Sequence, residues 1–242
     1  LEFLKVQIEN EFNYSKEIKI GNANLIFNKS KAMLTYKKNK KFYEINLFDK
    51  LNDPSFFYMA SFNLNPFYSN FEGKTDKIDL SHFYNPNSLI VQILKSEILN
   101  NKNIDFKLKV NADNISKTDF KKINLISKIQ EGLIDIDNTH FNWKNHAEFK
   151  LKETLIFIKN GELVLDGKLQ IKISNNDEIY QYLLTPKNFR KKFKYVDLTF
   201  SYNIDQKSTL LNDIRIDNEY NQKLNRIMGN IILKDSNLQN KI

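Results

Sequence analysis

The chain has 242 residues, a net charge of +8 at neutral pH and no cysteine. The absence of cysteine excludes disulfides, thiolate metal sites and a cysteine nucleophile. No run of about 18 apolar residues occurs, so the sequence predicts no membrane-spanning helix, and no secretory signal is visible. Because the chain begins at Leu1 without methionine, we expect it to be a piece of a longer polypeptide.

The positive charge resembles that of nucleic-acid-binding proteins, but its composition argues against that partner. Nearly all of it is lysine, and the only arginines are Arg190, Arg215 and Arg226. Arginine is the preferred residue for binding phosphate and guanine, because its guanidinium group donates two parallel hydrogen bonds. Lys, Asn, Ile, Phe and Tyr are abundant together, as AT-rich coding favours, so we expect no nucleic-acid partner.

The first part of the chain has the alternating pattern of β-strands. Apolar and polar residues alternate over residues 1–48, beginning at Leu4, and turn-like breaks occur at 28–30 and 38–40. Residues 54–72 continue the pattern with Phe56 and its neighbours. Turns about 8–15 residues apart favour an antiparallel meander over βαβ units.

A helix is predicted next, over about 86–99. Asn85 is a suitable cap and Pro86 a suitable first helical residue. Ile90, Ile93 and Leu94 follow at helical spacing. The sequence therefore predicts a β-rich segment over 1–100 that ends in this helix, followed by a second sheet-forming region over 104–217.

The most regular alternation lies between residues 144 and 217. Asn160 and Gly161 separate two alternating runs, and this dipeptide is a strong signal for a type I′ hairpin turn. A second pair of strands follows, ending in Leu210, Ile214 and Ile216. We predict that these strands share one apolar face, formed by Phe149, Leu151, Leu155, Phe157, Leu163, Leu165, Leu169, Ile171, Leu198, Phe200, Tyr202, Ile214 and Ile216.

Short helices are predicted around these last strands. Residues 177–184 form a capped short helix, and Thr185–Pro186 is a second helix start. Residues 218–242 are predicted to form a C-terminal amphipathic helix, with Leu224, Ile227, Met228, Ile231 and Ile232 on its apolar stripe, and a polar tail. The fold class predicted overall is mainly β: an elongated, curved antiparallel sheet, shaped as a groove, with a few amphipathic helices.

No catalytic constellation is evident in the sequence. The three histidines, His82, His140 and His146, have no metal-ligand spacing. Asp135 and Asp137 share a strand face, where we expect them to be solvated. We therefore predict no catalytic residues, no metal, no cofactor and no enzymatic activity.

A basic cluster with interleaved aromatic residues follows the short helix. It comprises Lys187, Arg190, Lys191, Lys192 and Lys194. One interpretation is a solvated connection in which Phe189 and Phe193 pack on the sheet. The other is attraction to anionic phospholipid head groups, worth about 1 kcal/mol per basic side chain.

The region from Ile104 to Asp217 resembles the C-terminal region of bacterial AsmA-like proteins. The similar stretches are FKLKVNADNI at 106–115, KIQEGLIDID at 128–137, GELVLDGK at 161–168, a helix before Pro186, and 196–217 ending in NDIRID. The resemblance covers about half of the chain. The resemblance implies membership of the bridge-like lipid-transfer proteins, which are built from repeating β-groove modules.

This resemblance implies a location and partners. AsmA-like proteins are usually anchored in the bacterial inner membrane, extend through the periplasm of the cell envelope and are implicated in phospholipid transport to the outer membrane. It thus implies phospholipid, bacterial membranes and envelope proteins as partners. The anchor helix of the family does not occur in this sequence.

The physical chemistry of the apolar face leaves alternatives open. Soluble monomers rarely expose more than a few hundred Å² of contiguous apolar surface, so another sheet, a helix or a ligand must cover this face. Our first hypothesis is an apolar groove that holds phospholipid acyl chains. The alternatives are a non-catalytic structural or interaction β-sandwich in envelope assembly, and an enzyme that acts on polysaccharide.

Overall fold

The computed structural model describes residues 6–14, 18–27, 30–49, 57–64, 66–80, 85, 87–96, 101 and 104–234. The predicted positions at Leu4, Phe56, His82 and Pro86 lie outside this part of the chain. Within it, sixteen strands form a single sheet, accompanied by three short α-helices. The prediction of a mainly β, elongated sheet with a few helices is confirmed.

The strands are β1 (Val6–Tyr14), β2 (Ile18–Phe27), β3 (Ser30–Asn39), β4 (Phe42–Asp49), β5 (Phe57–Leu64), β6 (Phe67–Ile78), β7 (Ile104–Ile115), β8 (Phe120–Gln130), β9 (Leu133–Asp135), β10 (His140–Trp143), β11 (Ala147–Lys159), β12 (Glu162–Ile173), β13 (Tyr195–Asn203), β14 (Ser208–Ile216), β15 (Glu219–Tyr220) and β16 (Leu233–Lys234). The helices are α1 (Leu89–Lys95), α2 (Asn176–Tyr182) and α3 (Gln222–Met228).

The order of strands in the sheet nearly follows the chain. β9 and β10 lie one after the other between β8 and β11, and β16 pairs with β14. The pairs are antiparallel except β6 and β7, which run parallel along their lengths. The predicted meander is therefore interrupted once, because the chain between β6 and β7 returns to the other end of the sheet through α1. The predicted regions 1–100 and 104–217 meet in this pair and share one sheet.

Tight turns join most neighbouring strands at alternating ends of the sheet. The predicted hairpin between β11 and β12 is present, with positive φ at both Asn160 (53°) and Gly161 (78°), as a type I′ turn requires. This turn lies at the end of the sheet near α1, here termed the α1 end. The opposite end, where β12 finishes and α2 begins, is termed the α2 end.

Helix α1 begins later than predicted. Ser88 is the N-cap, and its hydroxyl accepts a hydrogen bond of 3.2 Å from the Val91 N–H. Asn85 instead begins a turn, in which its carbonyl accepts a bond from the Ser88 N–H. Val91 of this helix is buried, whereas Ile93 of the predicted stripe is exposed. The side chain of Ile90 lies outside the described part. Residues 97–99 of the predicted helix lie outside the described part.

Helix α1 packs on the sheet near the β11–β12 turn. Val91 forms a buried cluster with Leu163 and Ile204. The Lys95 ammonium lies 2.7 Å from a carboxylate oxygen of Asp205, and the other oxygen accepts a 2.7 Å bond from the Leu163 N–H. One carboxylate therefore fastens both the helix and strand β12 to the β13–β14 turn.

The two later helices are capped by asparagine side chains. The Asn175 side chain accepts bonds from the Asp177 and Glu178 N–H groups of α2, and the Asn221 side chain accepts one from the Leu224 N–H of α3. The chain at Thr185–Pro186 enters a single 3₁₀ turn at 187–189. Helix α3 ends at Met228, so Ile231 and Ile232 of the predicted stripe lie beyond it and are exposed.

Among the described strands, three irregularities change which face the side chains occupy. Lys122, Glu153 and Asp213 have φ values of 51°, 47° and 45°, and each lies where the register with a neighbouring strand shifts. Each is a β-bulge, where two residues of one strand oppose one of the next. Beyond a bulge the alternation of faces is reversed.

The bulge at Glu153 corrects the predicted apolar face. Before it, Leu151 pairs with Leu169; after it, Ile156 pairs with Leu165 and Leu155 with Asp166. Leu155 and Phe157 were predicted to share a face with Phe149 and Leu151, but they lie on the opposite face. The bulge at Asp213 acts similarly, because Leu211, rather than the predicted Leu210, pairs with Phe200.

The sheet is largely a single layer. The accessible surface is 16883 Å², whereas a compact monomer of 28.7 kDa exposes about 11,300 Å². The buried apolar side chains are few among the described residues, and most strand residues are half-buried. The described strands all belong to one sheet, so the two-sheet sandwich of the alternative hypothesis is not the architecture observed there.

Candidate functional site

A groove of about 1080 Å³ lies on one face of the sheet at the α2 end. We call this face the groove face. Strands β8, β10, β11, β12 and β13 supply the floor, and helix α2 with the following segment supplies a wall. The apolar lining is formed by Ile115, Phe120, Trp143, Ala147, Phe149, Ile171, Ile173, Ile179, Tyr182, Leu183, Phe193 and Val196.

The floor follows from strand register. Phe149 of β11 pairs with Ile171 of β12, which pairs in turn with Val196 of β13. Paired residues in neighbouring strands point to the same face, so these three side chains form a row across the sheet. Ala147 and Ile173 form a second row one step nearer the α2 end.

An aromatic cluster stiffens one side of this floor. The rings of Phe141 and Phe149 stack at a centroid distance of 5.2 Å, and Phe120 packs edge-on against both. Such pairs contribute about 0.5–1.5 kcal/mol beyond the area they bury. The cluster keeps flat apolar rings toward the groove without a polar group among them.

The wall of the groove is held by contacts of α2. The Tyr182 ring packs against Trp143 at 4.8 Å. The Asn176 side chain donates to the Phe193 carbonyl and accepts from the Phe193 N–H, at 2.9 and 3.2 Å. The Tyr180 hydroxyl bonds to the backbone of Lys191. These contacts fix the wall at both of its ends.

The opposite rim of the groove is polar. It is formed by the chain ends of β6 and β7 and by the β7–β8 turn, and it includes Asp76, Lys77, Asn114, Lys117 and Asp119. The Asp119 carboxylate pairs with Lys144 at 3.0 Å. An amphipathic molecule would therefore meet apolar side chains on the floor and charged groups at this rim.

The groove face continues beyond the groove toward the α1 end. By strand register Leu151, Leu165, Leu169, Leu198 and Phe200 lie on it, and all are half-buried. At the α1 end the face is covered by α1. The buried cluster of Val91, Leu163 and Ile204 lies there, and Leu94, Ile156, Ile158 and Tyr202 pack against it. The apolar strip thus runs between two helices and is only partly covered along its middle.

The predicted lining residues divide into four groups. Phe149 and Ile171 line the groove. Leu151, Leu165, Leu169, Leu198, Phe200, Tyr202 and Ile216 lie on the groove face outside it. Leu163 is buried beneath α1, and Ile214 is buried where the Asn225 amide of α3 brackets its backbone. Leu155 and Phe157 lie on the opposite face.

Several residues of the groove face were missed by the sequence prediction. Ile156 and Ile158 alternate with Leu155 and Phe157 in one apolar run, so either pair could have been assigned to the groove face. Val196 alternates in step with Leu198 and Phe200 of β13, so the sequence pattern did place it on the apolar side of that strand. Phe120 and Trp143 come from strands whose partners the sequence does not indicate, and no local signal would have placed them here.

The predicted basic cluster lies beside the wall of the groove. Lys187, Lys191, Lys192 and Lys194 are exposed, and Arg190 donates from Nε to the Thr185 carbonyl at 2.9 Å. Of the two phenylalanines predicted to pack on the sheet, Phe193 lines the groove. Phe189 does not pack there, since 69% of it is exposed.

Four acidic side chains of the sheet and its turns accept hydrogen bonds within the fold. Asp137 accepts a 2.6 Å bond from the Thr154 N–H at the bulge, and Asp135 accepts from the Asp137 N–H. Hydrogen bonds from Gln206 and Asn203 lower the pKa of Glu162. Partial burial acts to raise the pKa of Asp205, but the bonds from Lys95 and Leu163 outweigh it and hold that pKa below its usual value.

Metal-ligating groups are dispersed in the part of the chain that the structure describes. No group of three or more His, Cys, Asp or Glu side chains comes close enough there to hold an ion. His140 Nδ1 lies 3.2 Å from the Asn138 carbonyl, and the His146 ring packs on Trp143. The site that remains is the apolar groove.

Comparisons of the chain with protein-family models, with curated proteins and with solved structures each returned no match. Among the described helices, none combines the length and apolarity needed to cross a membrane.

Proposed function

We propose that this chain binds lipid in its groove and forms part of a lipid-transfer protein of the bacterial cell envelope. The observation that carries the proposal is the groove of about 1080 Å³ whose floor is built from aliphatic and aromatic side chains. Pockets for drug-sized molecules span about 300–1,000 Å³, so the groove suits a ligand at or above the upper end of that range.

The chemistry of the groove favours acyl chains. Each methylene that leaves water for an apolar floor contributes about 0.8 kcal/mol, and this gain requires no directional polar contact. The half-exposed strip from Phe149 through Leu169 to Phe200 would extend the same environment toward the α1 end. The polar rim near Lys117 and Asp119 would remain outside it, in contact with a head group.

The envelope setting rests on the resemblance to AsmA-like proteins. In that setting the ligand is phospholipid, and the chain would lie in the periplasm as part of an inner-membrane-anchored protein. The mechanism would be passive: acyl chains slide along the apolar side chains while head groups stay in water. We propose no catalytic step.

The test is lipid extraction from protein purified without detergent, followed by mass spectrometry. We expect phospholipid to copurify at a fixed ratio to protein. A Leu165→Glu/Phe200→Glu variant, which places two charges on the groove face, should lose most of it. A Phe157→Glu variant on the opposite face is the matched control and should retain it.

Wild-type protein without bound phospholipid would overturn the proposal. The remaining hypothesis would then be a structural or interaction module, in which another protein covers the groove face. Binding that is equally lost in the Phe157→Glu control would point to general unfolding. Circular dichroism on all three proteins separates this outcome from a specific loss.

A further inference from the structure

The segment from Tyr182 to Lys194 presents apolar side chains to solvent beside the groove. Leu184 is 87% exposed, Phe189 69% and Leu183 62%. They lie within one connection at the α2 end rather than scattered over the surface. Burying large apolar groups is favourable, so a cluster of this kind marks a contact surface.

The same segment concentrates positive charge. Its five basic side chains are those of Lys187, Arg190, Lys191, Lys192 and Lys194, and no acidic residue occurs between Ile179 and Val196. None of the five takes part in an ion pair with another described residue. The charge is therefore available to an anionic partner.

Backbone contacts hold this segment against the sheet. The Asp217 carboxylate accepts 2.8 Å bonds from the N–H groups of both Lys194 and Tyr195. The Arg190 side chain closes the turn onto the Thr185 carbonyl. The exposed apolar side chains therefore lie on a loop whose backbone is held in place, so little conformational entropy is lost when a partner binds.

We propose that residues 182–194 dock the protein on an anionic phospholipid bilayer, with Leu184 and Phe189 inserted among the head groups and the lysines beside them. Interfacial membrane segments combine these two features. Because Leu183 and Phe193 also line the groove, docking places the groove mouth at the bilayer. This last point rests on the proposed lipid-binding function; the docking itself does not.

The composition of the segment favours a bilayer over a nucleic acid. Single-stranded nucleic acids are bound through aromatic stacking in a basic channel, and duplexes largely through arginine. Here the most exposed apolar side chains include two adjacent leucines, which offer no surface for base stacking. Only one of the five basic residues is arginine. Aliphatic side chains are stabilised most by transfer from water to a hydrocarbon environment.

The test is flotation of the purified chain with two kinds of vesicle: phosphatidylcholine alone, and phosphatidylcholine mixed with phosphatidylglycerol. We expect binding to the mixed vesicles and its weakening as salt is raised. Lys191→Gln/Lys192→Gln should lower the partition coefficient about 25-fold, since each lysine contributes about fivefold. Leu184→Ser/Phe189→Ser should lower it at least about tenfold.

Matched control variants lie at the opposite end of the sheet. Lys40 and Lys41 are another adjacent, exposed pair in the β3–β4 turn, and Leu64 and Leu133 are exposed by 56% and 50%. Lys40→Gln/Lys41→Gln and Leu64→Ser/Leu133→Ser should float as the wild type does. Equal losses in test and control variants would overturn the proposal, because binding would then follow net charge or overall hydrophobicity.

The remaining outcomes are also decisive. No flotation with mixed vesicles overturns docking, as does tighter retention on a single-stranded oligonucleotide that competes with the vesicles. Copurified phospholipid is measured separately on the same variants. Because Leu184 and Phe189 do not line the groove, loss of flotation with retained lipid in their variant separates the docking surface from the groove. Retained flotation in that variant overturns docking, and a wild type that floats but carries no phospholipid overturns groove binding alone.

Discussion

A Cβ atom added to Gly167 would lie 2.3 Å from the hydroxyl oxygen of Thr154. Thr154 belongs to the bulge of β11 and is fully buried, and Gly167 of β12 lies opposite that bulge. The Thr154 side chain therefore occupies the space that any other residue at 167 would need. The contact fixes the position of the bulge in β11. Before the bulge Leu151 lies on the groove face, and after it Ile156 does.

The first prediction concerns this contact. Gly167→Ala should destabilise the protein by about 1–3 kcal/mol, because the added methyl overpacks a buried site. Urea unfolding followed by circular dichroism measures the loss. A Thr154→Ala background removes the hydroxyl oxygen and the methyl carbon of Thr154 and keeps its Cβ at 2.7 Å from the added atom, so the same substitution should be less damaging there. An equal loss in both backgrounds would show that the hydroxyl and methyl groups of Thr154 are not the cause.

The second prediction concerns pH and the carboxylate that holds α1. The pKa of Asp205 is lower in the folded protein than its ordinary value of 3.8, so the bonds to Lys95 and Leu163 stabilise the fold above that pH. This contribution is lost as pH falls through the folded-state pKa. Asp205→Asn should therefore lower stability at pH 7 and flatten its decline in acid.

Urea midpoints measured between neutral and strongly acidic pH check this prediction. Asp213→Asn is the control, since Asp213 pairs with Arg215 at a site where both side chains are about half exposed; such pairs contribute about 0–1 kcal/mol. Some acid dependence should persist in Asp205→Asn, because the pKa of Glu162 is also lowered. An unchanged acid profile in Asp205→Asn would contradict the assigned role.

The third prediction uses the only tryptophan of the chain. Trp143 lines the groove and contacts Tyr182 of α2. Lipid in the groove should shift its fluorescence emission to shorter wavelength, because the indole loses water. Tyr182→Ala should shift the lipid-free emission to longer wavelength by opening the wall. If the emission wavelength of Trp143 does not change in protein that is shown to carry lipid, the lipid binds elsewhere.

The fourth prediction tests the two faces of the sheet at strands β11 and β12. The chain has no cysteine, so single cysteines can be introduced one at a time. Lipid should slow the reaction of a water-soluble maleimide with Phe149→Cys and Ile171→Cys, and leave that of Leu155→Cys and Phe157→Cys unchanged. Protection of Leu155→Cys would mean that the bulge at Glu153 does not reverse the faces in solution.

Local sequence determined the strands and their turns well. Alternation located the long strands of both halves, and Asn160–Gly161 marked a hairpin whose φ values match a type I′ turn. Short-range chemistry suffices in these places, because neither signal depends on distant residues. The start of α1 was wrong because two caps compete there, and Ser88 rather than Asn85 lies next to the buried Val91.

Assignment of the groove face depended on more than alternation. Glu153 and Asp213 are ordinary strand residues in sequence, and nothing marks them as positions of positive φ. Their conformation is imposed by the neighbouring strands: Thr154 is held by Asp137 and accommodated by Gly167. A single such residue reverses the face of every later side chain in its strand.

By itself the sequence determined a β-rich chain with hairpins, one strongly apolar set of strand residues and a basic segment after residue 184. Those properties follow from side-chain chemistry and from interactions within a few residues. Only the tertiary structure decided that β6 and β7 run parallel, that bulges move Leu155 and Phe157 off the groove face, and that Phe120, Trp143 and α2 enclose a groove. These features arise from strand register and from packing between residues far apart in the chain, which local patterns do not encode.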